Sequence, residues 1–269
     1  MENHLLDVLR PNLSWSMLPA ICRQFGISAW DFIFPPACVG CGVSLAATPP
    51  ESSLVRICVT CRDKLSVHAT CPSCLRCGAP VGPYVDRQRG CQECRRERFA
   101  FRTVYRLGIY DGAVKEVVVR GKYLTGQPLL RSIAELIWES AGPEMTAAKI
   151  DLIVPIPQHW RQRLFSQHHA PDILAEAWGR RLQVPVGYPI LGKRRKTRKQ
   201  ARLNRTERHK NQHQVFQVTR PAAVKGKIVL LVDDVLTTGA TAHSAARTLK
   251  QAGAKDVVVA VIARALGRH

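Results

Sequence analysis

The chain has 269 residues, of which 46% are hydrophobic, so it can bury a core, and a wholly disordered chain is excluded. Its 40 lysines and arginines outnumber its 20 aspartates and glutamates, which gives a net charge of +20. Such an excess favours an anionic partner: nucleic acid first, a small phosphate ester next and a membrane surface third. A basic charge that only keeps the protein soluble is the alternative.

No targeting segment is recognisable in the sequence. The first residues lack a basic stretch followed by a long apolar run, which argues against secretion. No run of about 18 apolar residues is present, so no membrane insertion is expected. We therefore expect a cytoplasmic protein. A reducing compartment favours metal sites over disulfides for its ten cysteines.

Composition divides the chain into three parts, and all ten cysteines lie between Cys22 and Cys94. Residues 1–34 have the pattern of one or two short amphipathic helices, in which Cys22 fits a small core residue better than a metal ligand. Residues 35–98 are rich in Cys, Gly and Pro, with too little apolar periodicity to bury a large core unaided. Residues 99–269 have the pattern of an α/β domain.

Eight cysteines form four Cys-x2-Cys pairs, which combine into two sets. These sets are Cys38, Cys41, Cys58 and Cys61, and then Cys74, Cys77, Cys91 and Cys94. Such paired spacing is typical of zinc ribbons. Four thiolates close the coordination shell of zinc, so we expect one or two structural Zn²⁺ ions that supply folding free energy, and no hydrolytic centre.

Cys71 leaves a second register open, because Cys71-x2-Cys74-x2-Cys77 offers two overlapping pairs. We favour Cys74 with Cys77, since a glycine follows Cys77 directly, as one follows Cys41. Two roles are open for this segment. The segment contacts nucleic acid or protein, or it is a subdomain stabilised by metal and packed on the α/β half.

From about residue 100, strand-like apolar runs alternate with helical periodicity, which predicts a doubly wound α/β fold with a mainly parallel sheet. The predicted strands are residues 102–110, 151–155, 227–232 and 256–263. The predicted helices are residues 113–122, 128–139, 170–182 and 241–252. The continuous apolar run 227–232 is typical of a strand buried on both faces.

Polar and small residues follow the predicted strand 227–232. Asp233 and Asp234 come at its carboxyl end, where open α/β sheets bind ligands. The next loop and helix start consist of small or hydroxyl-bearing residues that suit a phosphate, namely Thr237, Thr238, Gly239, Ala240 and Thr241. Paired carboxylates beside such a cradle can accept hydrogen bonds from two ribose hydroxyls, which predicts a sugar-phosphate site. A capping Asp pair before a plain turn is the alternative.

The string Val229–Thr241 resembles the phosphoribosyl-pyrophosphate (PRPP) motif of type I phosphoribosyltransferases. The resemblance implies a sheet of the type I phosphoribosyltransferase kind, preceded by the small cysteine-rich zinc-ribbon domain. It also implies that Asp233 and Asp234 bind the ribose hydroxyls and that residues 237–241 hold the 5′-phosphate.

Over roughly residues 30–265 the chain resembles more closely the ComF family of competence-associated proteins, also called GntX-type or amidophosphoribosyltransferase-like. The features that carry this resemblance are Phe34-Pro-Pro-Ala-Cys38 with the double zinc ribbon, Tyr110-Asp-Gly112 with Lys122-Tyr123, Val154-Pro-Ile-Pro157, the residues Gln200, Leu203, Arg205, Glu207, Arg208, Asn211 and Phe216, and the PRPP motif. The resemblance implies cytosolic handling of imported single-stranded DNA in natural transformation, or use of DNA as a nutrient.

A proline-rich stretch occupies the place of the family's pyrophosphate loop, namely Pro155, Ile156, Pro157 and Gln158. A turn held open by prolines after a strand can present backbone N–H groups to a diphosphate, and a proline-stiffened strand end is the alternative. Mg²⁺ is expected to bridge the diphosphate, because it binds through substrate oxygens and few protein ligands. The family's Arg-Gly-Phe-Asn-Gln is replaced by Arg163-Leu-Phe-Ser-Gln167, so that loop's conformation and any contact of its Asn are not carried over.

Residues 193–210 contain ten lysines and arginines and a single acidic residue. The densest part comprises Lys193, Arg194, Arg195, Lys196, Arg198 and Lys199. Such a block repels itself and is expected to be a mobile loop until an anion binds. It lies roughly where type I phosphoribosyltransferases have a flexible loop over PRPP. Binding along a nucleic-acid backbone is the second interpretation, and a solvated loop is the third.

Three functions therefore remain open from the sequence. The first is a phosphoribosyltransferase that moves phosphoribosyl from PRPP to an unidentified base, by positioning and charge stabilisation. The second is a DNA-handling protein that binds PRPP and single-stranded DNA. The third is a zinc-stapled module that recruits proteins of the DNA-uptake machinery.

Overall fold

The structure, a computed structural model, describes residues 36–45, 55–157, 169–193 and 215–266. The described helices are α1 (Val59–Thr70), α2 (Gly112–Arg120), α3 (Gln127–Ala147), α4 (Ala170–Leu182), α5 (Pro221–Val224) and α6 (Ala240–Gln251). The described strands are β1 (Val104–Ile109), β2 (Leu152–Pro155), β3 (Leu191–Lys193), β4 (Phe216–Val218), β5 (Ile228–Leu236) and β6 (Asp256–Arg264). The expected N-terminal segment 1–34 lies outside the described residues.

Four strands form a fully parallel sheet in the order β1-β6-β5-β2. Strand β5 is central, because it pairs with β6 on one side and with β2 on the other, where Pro155 lies opposite Val232. Strands β2, β5 and β6 are buried along most of their length. The continuous apolar runs in the sequence are therefore explained by burial on both sheet faces.

Helices cover both faces of this sheet. On one face, Val258, Ala260 and Ile262 of β6 pack in a core with helices α2, α3 and α4. On the other face, Val257, Val259 and Val261 pack against α6, whose buried face is three alanines and Leu249. Small side chains on α6 allow that helix to lie close to the strands. The predicted doubly wound parallel fold is confirmed.

Two element ends differ from the prediction by more than two residues. Helix α3 continues eight residues beyond Glu139 and past Pro143, because Met145 is fully buried and its burial favours the extra turns. Strand β5 runs to Leu236 instead of ending at Val232, since its pairing with β6 continues to the end of that strand. The two aspartates therefore lie within the strand.

Four of these elements were not predicted, namely β3, β4, α1 and α5. Strands β3 and β4 form an antiparallel pair in which Lys193 lies opposite Phe216. Each strand has three residues, and β3 ends where the basic run begins, so neither shows a recognisable alternation. Helix α1 lies inside the first ribbon and buries Leu65, while most of its other described residues face solvent.

Both ribbons pack on the α/β part. From the first ribbon, Cys38, Ile57 and Leu65 join the same core as α3 and β1. The Arg120 guanidinium of α2 donates hydrogen bonds to the carbonyl oxygens of Val39 and Gly40. The second ribbon is joined to β1 through hydrogen bonds of Val104 to Leu75 and of Arg106 to Gly78. The metal-binding segment is thus part of the folded body.

Among the described residues, no helix combines the length and the apolar character that a membrane-spanning segment needs.

Candidate functional site

The two predicted aspartates lie at the carboxyl edge of the parallel sheet. Asp233 and Asp234 are both partly buried near the end of β5. The Asp233 carboxylate accepts a hydrogen bond from the N–H of Asp234 at 2.9 Å, and the Asp234 carboxylate accepts one from Val235 at 2.7 Å. Each carboxylate is therefore fixed near the backbone and keeps further acceptor capacity for a ligand.

The loop between β5 and α6 is short and tightly turned. Gly239 has a φ of +80°, in the left-handed region that glycine adopts at little cost, and it directly precedes the first helical residue, Ala240. The Thr238 hydroxyl accepts a hydrogen bond from the Ala240 N–H at 3.3 Å. The first N–H groups of α6, including that of Thr241, have no partner within the helix. The predicted residues thus form the loop before a twelve-residue helix and the first two residues of that helix, whose dipole favours an anion.

Arg264, which was not among the predicted site residues, binds the backbone of this loop. Its guanidinium donates to the carbonyl oxygen of Leu236 at 3.1 Å, and also to those of Thr237 and Ala265. The residue is only 8% exposed at the end of β6. A cation at the end of a buried strand is the sequence signal for such a role, because a buried charge needs partners.

Burial and the neighbouring Asp234 raise the pKa of Asp233 to about 8. Lys193, at the end of β3, opposes this shift electrostatically. Burial in turn lowers the pKa of Lys193, and the negative charge of Asp233 opposes this shift without cancelling it. The Lys193 ammonium lies 6.0 Å from the centre of the Phe216 ring. The structure therefore brings this first residue of the basic run towards the aspartate pair.

The proline-rich stretch lies next to Asp233 but presents no free backbone N–H between residues 155 and 157. Pro155 belongs to β2, and the Ile156 N–H is used in a 2.8 Å hydrogen bond to the Val232 carbonyl oxygen. Pro155 and Pro157 have no N–H. Any backbone donors for a diphosphate must come from later residues, and Gln158 lies outside the described residues. So do Arg194, Arg195, Lys196, Arg198 and Lys199, in the segment that connects β3 to β4.

The two cysteine sets form two compact clusters, in each of which all four Sγ atoms lie within 4.8 Å of one another. Sγ–Sγ distances are 3.7 Å for Cys41 and Cys58 in the first cluster, and 3.7 Å for Cys74 and Cys94 in the second. Tetrahedral zinc with bonds of about 2.3 Å places its sulfurs about 3.8 Å apart. These distances are far too long for disulfides. The residues therefore fit a structural zinc ion in each cluster.

The geometry of the second set favours one of the two registers. Cys74 belongs to the cluster, while Cys71 is exposed and outside it. The N–H of Gly78 donates to the Cys74 carbonyl oxygen at 2.8 Å, and the first cluster has the same bond from Gly42 to Cys38. Both glycines have positive φ. This geometry favours the expected pairing of Cys74 with Cys77.

The pKa values of two thiols in the first cluster are shifted in opposite directions. Burial raises the pKa of Cys38, but N–H donors of Cys58, Cys41 and Gly40 outweigh burial and lower it to about 6. Burial and hydrogen bonding with the neighbouring thiols, Cys58 first, raise the pKa of Cys61 to about 12. Without a positive ion, the four thiols therefore cannot all ionise at neutral pH.

Family models match two parts of the chain. A phosphoribosyl transferase domain matches residues 173–268, and a double zinc ribbon domain matches residues 29–95. The first match contains β5 and the loop before α6, and the second contains all ligands of both cysteine clusters.

Three relatives have similar sequences over most of the chain. Competence protein ComFC of Bacillus subtilis is 29% identical over 213 residues, which are 74% of this chain and 79% of that protein. Competence protein F of Haemophilus influenzae is 25% identical over 228 residues, or 77% of this chain and 96% of that protein. DNA utilization protein YhgH of Salmonella typhi is 25% identical over 217 residues, or 78% of this chain and 91% of that protein.

The raised pKa of Asp233 predicts a pH dependence of stability. When Asp233 is replaced by Asn, the variant should be more stable than the wild type at pH 8, and the difference should shrink towards pH 4. The reason is that the unfolded carboxyl ionises near its ordinary pKa of 3.8 and the folded one only near 8, so the wild type loses stability between these values. Thermal unfolding across this range measures the difference, with exposed Asp63→Asn as the control. Parallel curves for Asp233→Asn and wild type would contradict it.

The clusters predict two zinc ions per chain. Cys71→Ser should retain both, because Cys71 lies outside the clusters, whereas Cys74→Ser should retain one. Metal analysis of the purified protein measures the stoichiometry. Loss of zinc from Cys71→Ser would show that the other register is the true one.

Proposed function

Because the chain belongs to the ComF family, with its double zinc ribbon and phosphoribosyltransferase domain, we propose that it binds PRPP and acts on single-stranded DNA in DNA uptake or in the use of DNA as a nutrient. The proposal places this activity in the cytoplasm. The observation that carries it is the arrangement at the end of β5, where two fixed carboxylates stand beside a glycine turn and the start of a twelve-residue helix.

Each part of PRPP has a matching group in this arrangement. Asp233 and Asp234 accept hydrogen bonds from the two ribose hydroxyls. Residues 237–241 surround the 5′-phosphate with hydroxyls and N–H groups, and Arg264 keeps the loop in place by binding its carbonyl oxygens. The diphosphate lies towards Pro157 and the residues after it, with Mg²⁺ bound mainly by its oxygens.

Lys193 belongs to the PRPP site in this proposal. Its ammonium interacts electrostatically with Asp233 and is held on the Phe216 ring. A cation beside the aspartate pair offsets their mutual repulsion when an anionic ligand arrives. Arg194, Arg195, Lys196, Arg198 and Lys199 are left for a nucleic-acid backbone.

The DNA part of the proposal draws on the named relatives and on charge. Two of the relatives are competence proteins and one is a DNA utilization protein. The net charge of +20 suits a polyanion. Tyr84 of the second ribbon is fully exposed, and Arg95, Arg96 and Arg98, which follow its last cysteine, are exposed as well. Arginines neutralise phosphates and an exposed aromatic ring stacks on bases, as single-strand binding requires.

An active phosphoribosyltransferase is the second candidate, favoured by the phosphoribosyl transferase domain match. A nitrogen of the acceptor base would bond to C1 of the ribose while the C1–O bond to the diphosphate breaks. Pyrophosphate leaves with the bonding electrons, and the proton of the attacking nitrogen passes to solvent. The reaction needs positioning and charge stabilisation without a covalent enzyme nucleophile.

We predict that the double variant Asp233→Asn/Asp234→Asn binds PRPP at least about tenfold more weakly, because the loss of even one charge-assisted hydrogen bond costs about 1.5–3 kcal/mol. Calorimetric titration of the zinc-loaded protein with PRPP and Mg²⁺ measures this. Asp151→Asn, at the opposite edge of the sheet, is the matched control. Equal PRPP affinity of the double variant and the wild type would contradict the proposed site.

The same proteins separate the two candidates. Single-stranded DNA binding should survive the double variant and weaken, with a shallower salt dependence, when Arg194, Arg195, Lys196, Arg198 and Lys199 are changed to Gln. Pyrophosphate release from PRPP with a panel of bases, lost in the double variant, would favour the transferase. Salt-insensitive DNA binding, or none, would contradict the DNA part of the proposal.

A further inference from the structure

The linker that leaves the second ribbon contacts the loop between β5 and α6, residues 237–239, which we call the phosphate loop. It starts after the last zinc ligand, Cys94, and ends at β1. Within it, Phe99 packs against the cluster of Cys74, Cys77, Cys91 and Cys94, and also against the core beneath α6. One aromatic side chain therefore contacts both the second metal centre and the α6 side of the sheet.

Phe99 also lies against the glycine of the phosphate loop. Its Cε1 atom is 2.9 Å and its Cζ atom 3.4 Å from the position that a Cβ would take at Gly239. The ring fills the space where any side chain at this position would lie. Phe99 stacks on Phe101 with ring centres 4.7 Å apart, and Phe101 is only 5% exposed. The buried Phe101 ring thus restricts the position of the Phe99 ring.

A hydrogen bond makes a second contact between linker and loop. The N–H of Ala100 donates to Nδ1 of His243 at 3.0 Å. His243 lies in the first turn of α6, and its own N–H donates to the Gly239 carbonyl oxygen at 2.8 Å. The linker therefore contacts the phosphate loop through Gly239 and the helix start through His243.

Both ends of the linker are anchored. On the ribbon side, the Arg76 guanidinium donates to the Glu97 carbonyl oxygen at 2.9 Å. On the sheet side, the Arg102 N–H donates to the Val257 carbonyl oxygen at 2.8 Å, and its guanidinium pairs with Asp256, also at 2.8 Å. Because both ends are fixed, a movement of the second ribbon would displace the linker and with it the phosphate loop.

We propose that Phe99 and Ala100 couple the second cysteine cluster to the phosphate loop, so that the metal state of this cluster sets the affinity for PRPP. Phe99 and His243 are positioning residues in this coupling. The inference rests on the proposed PRPP site. The first cluster packs into the core with α3 and β1, away from Gly239, and lacks such a connection among the described residues.

Coupling between two sites is reciprocal. If metal in the second cluster tightens PRPP binding, PRPP must raise the affinity of that cluster for the metal by the same factor. This gives a readout that does not depend on catalysis. Couplings of this kind typically change affinity about 5- to 150-fold.

The first test replaces Phe99 with Ala and measures zinc content, PRPP affinity and the protection of zinc by PRPP against a chelator. The variant should retain two zinc ions, bind PRPP about tenfold more weakly and lose the protection. Phe99→Leu should recover part of the affinity, and exposed Tyr123→Ala should behave as wild type. Unchanged PRPP affinity together with unchanged protection in Phe99→Ala would overturn the proposal.

The second test compares the two clusters and His243. Cys91→Ser should weaken PRPP binding more than Cys41→Ser does, although each removes one zinc. His243→Ala should weaken it, and His243→Gln, which keeps an acceptor for the Ala100 N–H, should restore it. Equal losses for the two cysteine variants would overturn the assignment to the second cluster.

Amide hydrogen exchange separates this inference from the proposed function. Faster exchange at residues 239–243 in Phe99→Ala, without any ligand, supports the contact between linker and loop, and unchanged exchange overturns it. If the wild type shows no PRPP binding, the proposed function fails, and the control over PRPP affinity fails with it. Exchange in Phe99→Ala then still decides whether the linker holds the loop.

Discussion

The pairing of β5 between β2 and β6 is the interaction on which the rest of this structure depends. It buries the apolar half of β5 on both faces and leaves the polar half at the carboxyl edge, beside the end of β2. The glycine turn, the helix start and the arginine at the end of β6 are then brought to the same edge. Strand order therefore brings the parts of the candidate ligand site to one edge of the sheet.

The two zinc ribbons are attached to the sheet domain at several points. The first ribbon contributes side chains to the main core, and the second is hydrogen-bonded to β1. Metal binding therefore stabilises the sheet domain as well as the ribbons, because the ribbons pack against its core. The path of the linker behind Gly239 gives the second ribbon an additional influence on the ligand site.

Much of this was predictable from the sequence. Helix α4 has the predicted bounds, because its apolar spacing matches the face that packs on α3. Both zinc sets were predictable from spacing alone. The contact of Phe99 with Gly239 and the approach of Lys193 to Asp233 were not, because each joins residues far apart in the chain. The β3–β4 pair was missed because three-residue strands are too short to show alternation.

A crystal structure of the zinc-loaded protein with PRPP and Mg²⁺ tests the central claim most directly. It should show the ribose hydroxyls on Asp233 and Asp234, and the 5′-phosphate within hydrogen-bonding distance of the N–H groups and hydroxyls of residues 237–241. PRPP bound elsewhere, or an empty carboxyl edge at saturating PRPP, would contradict it.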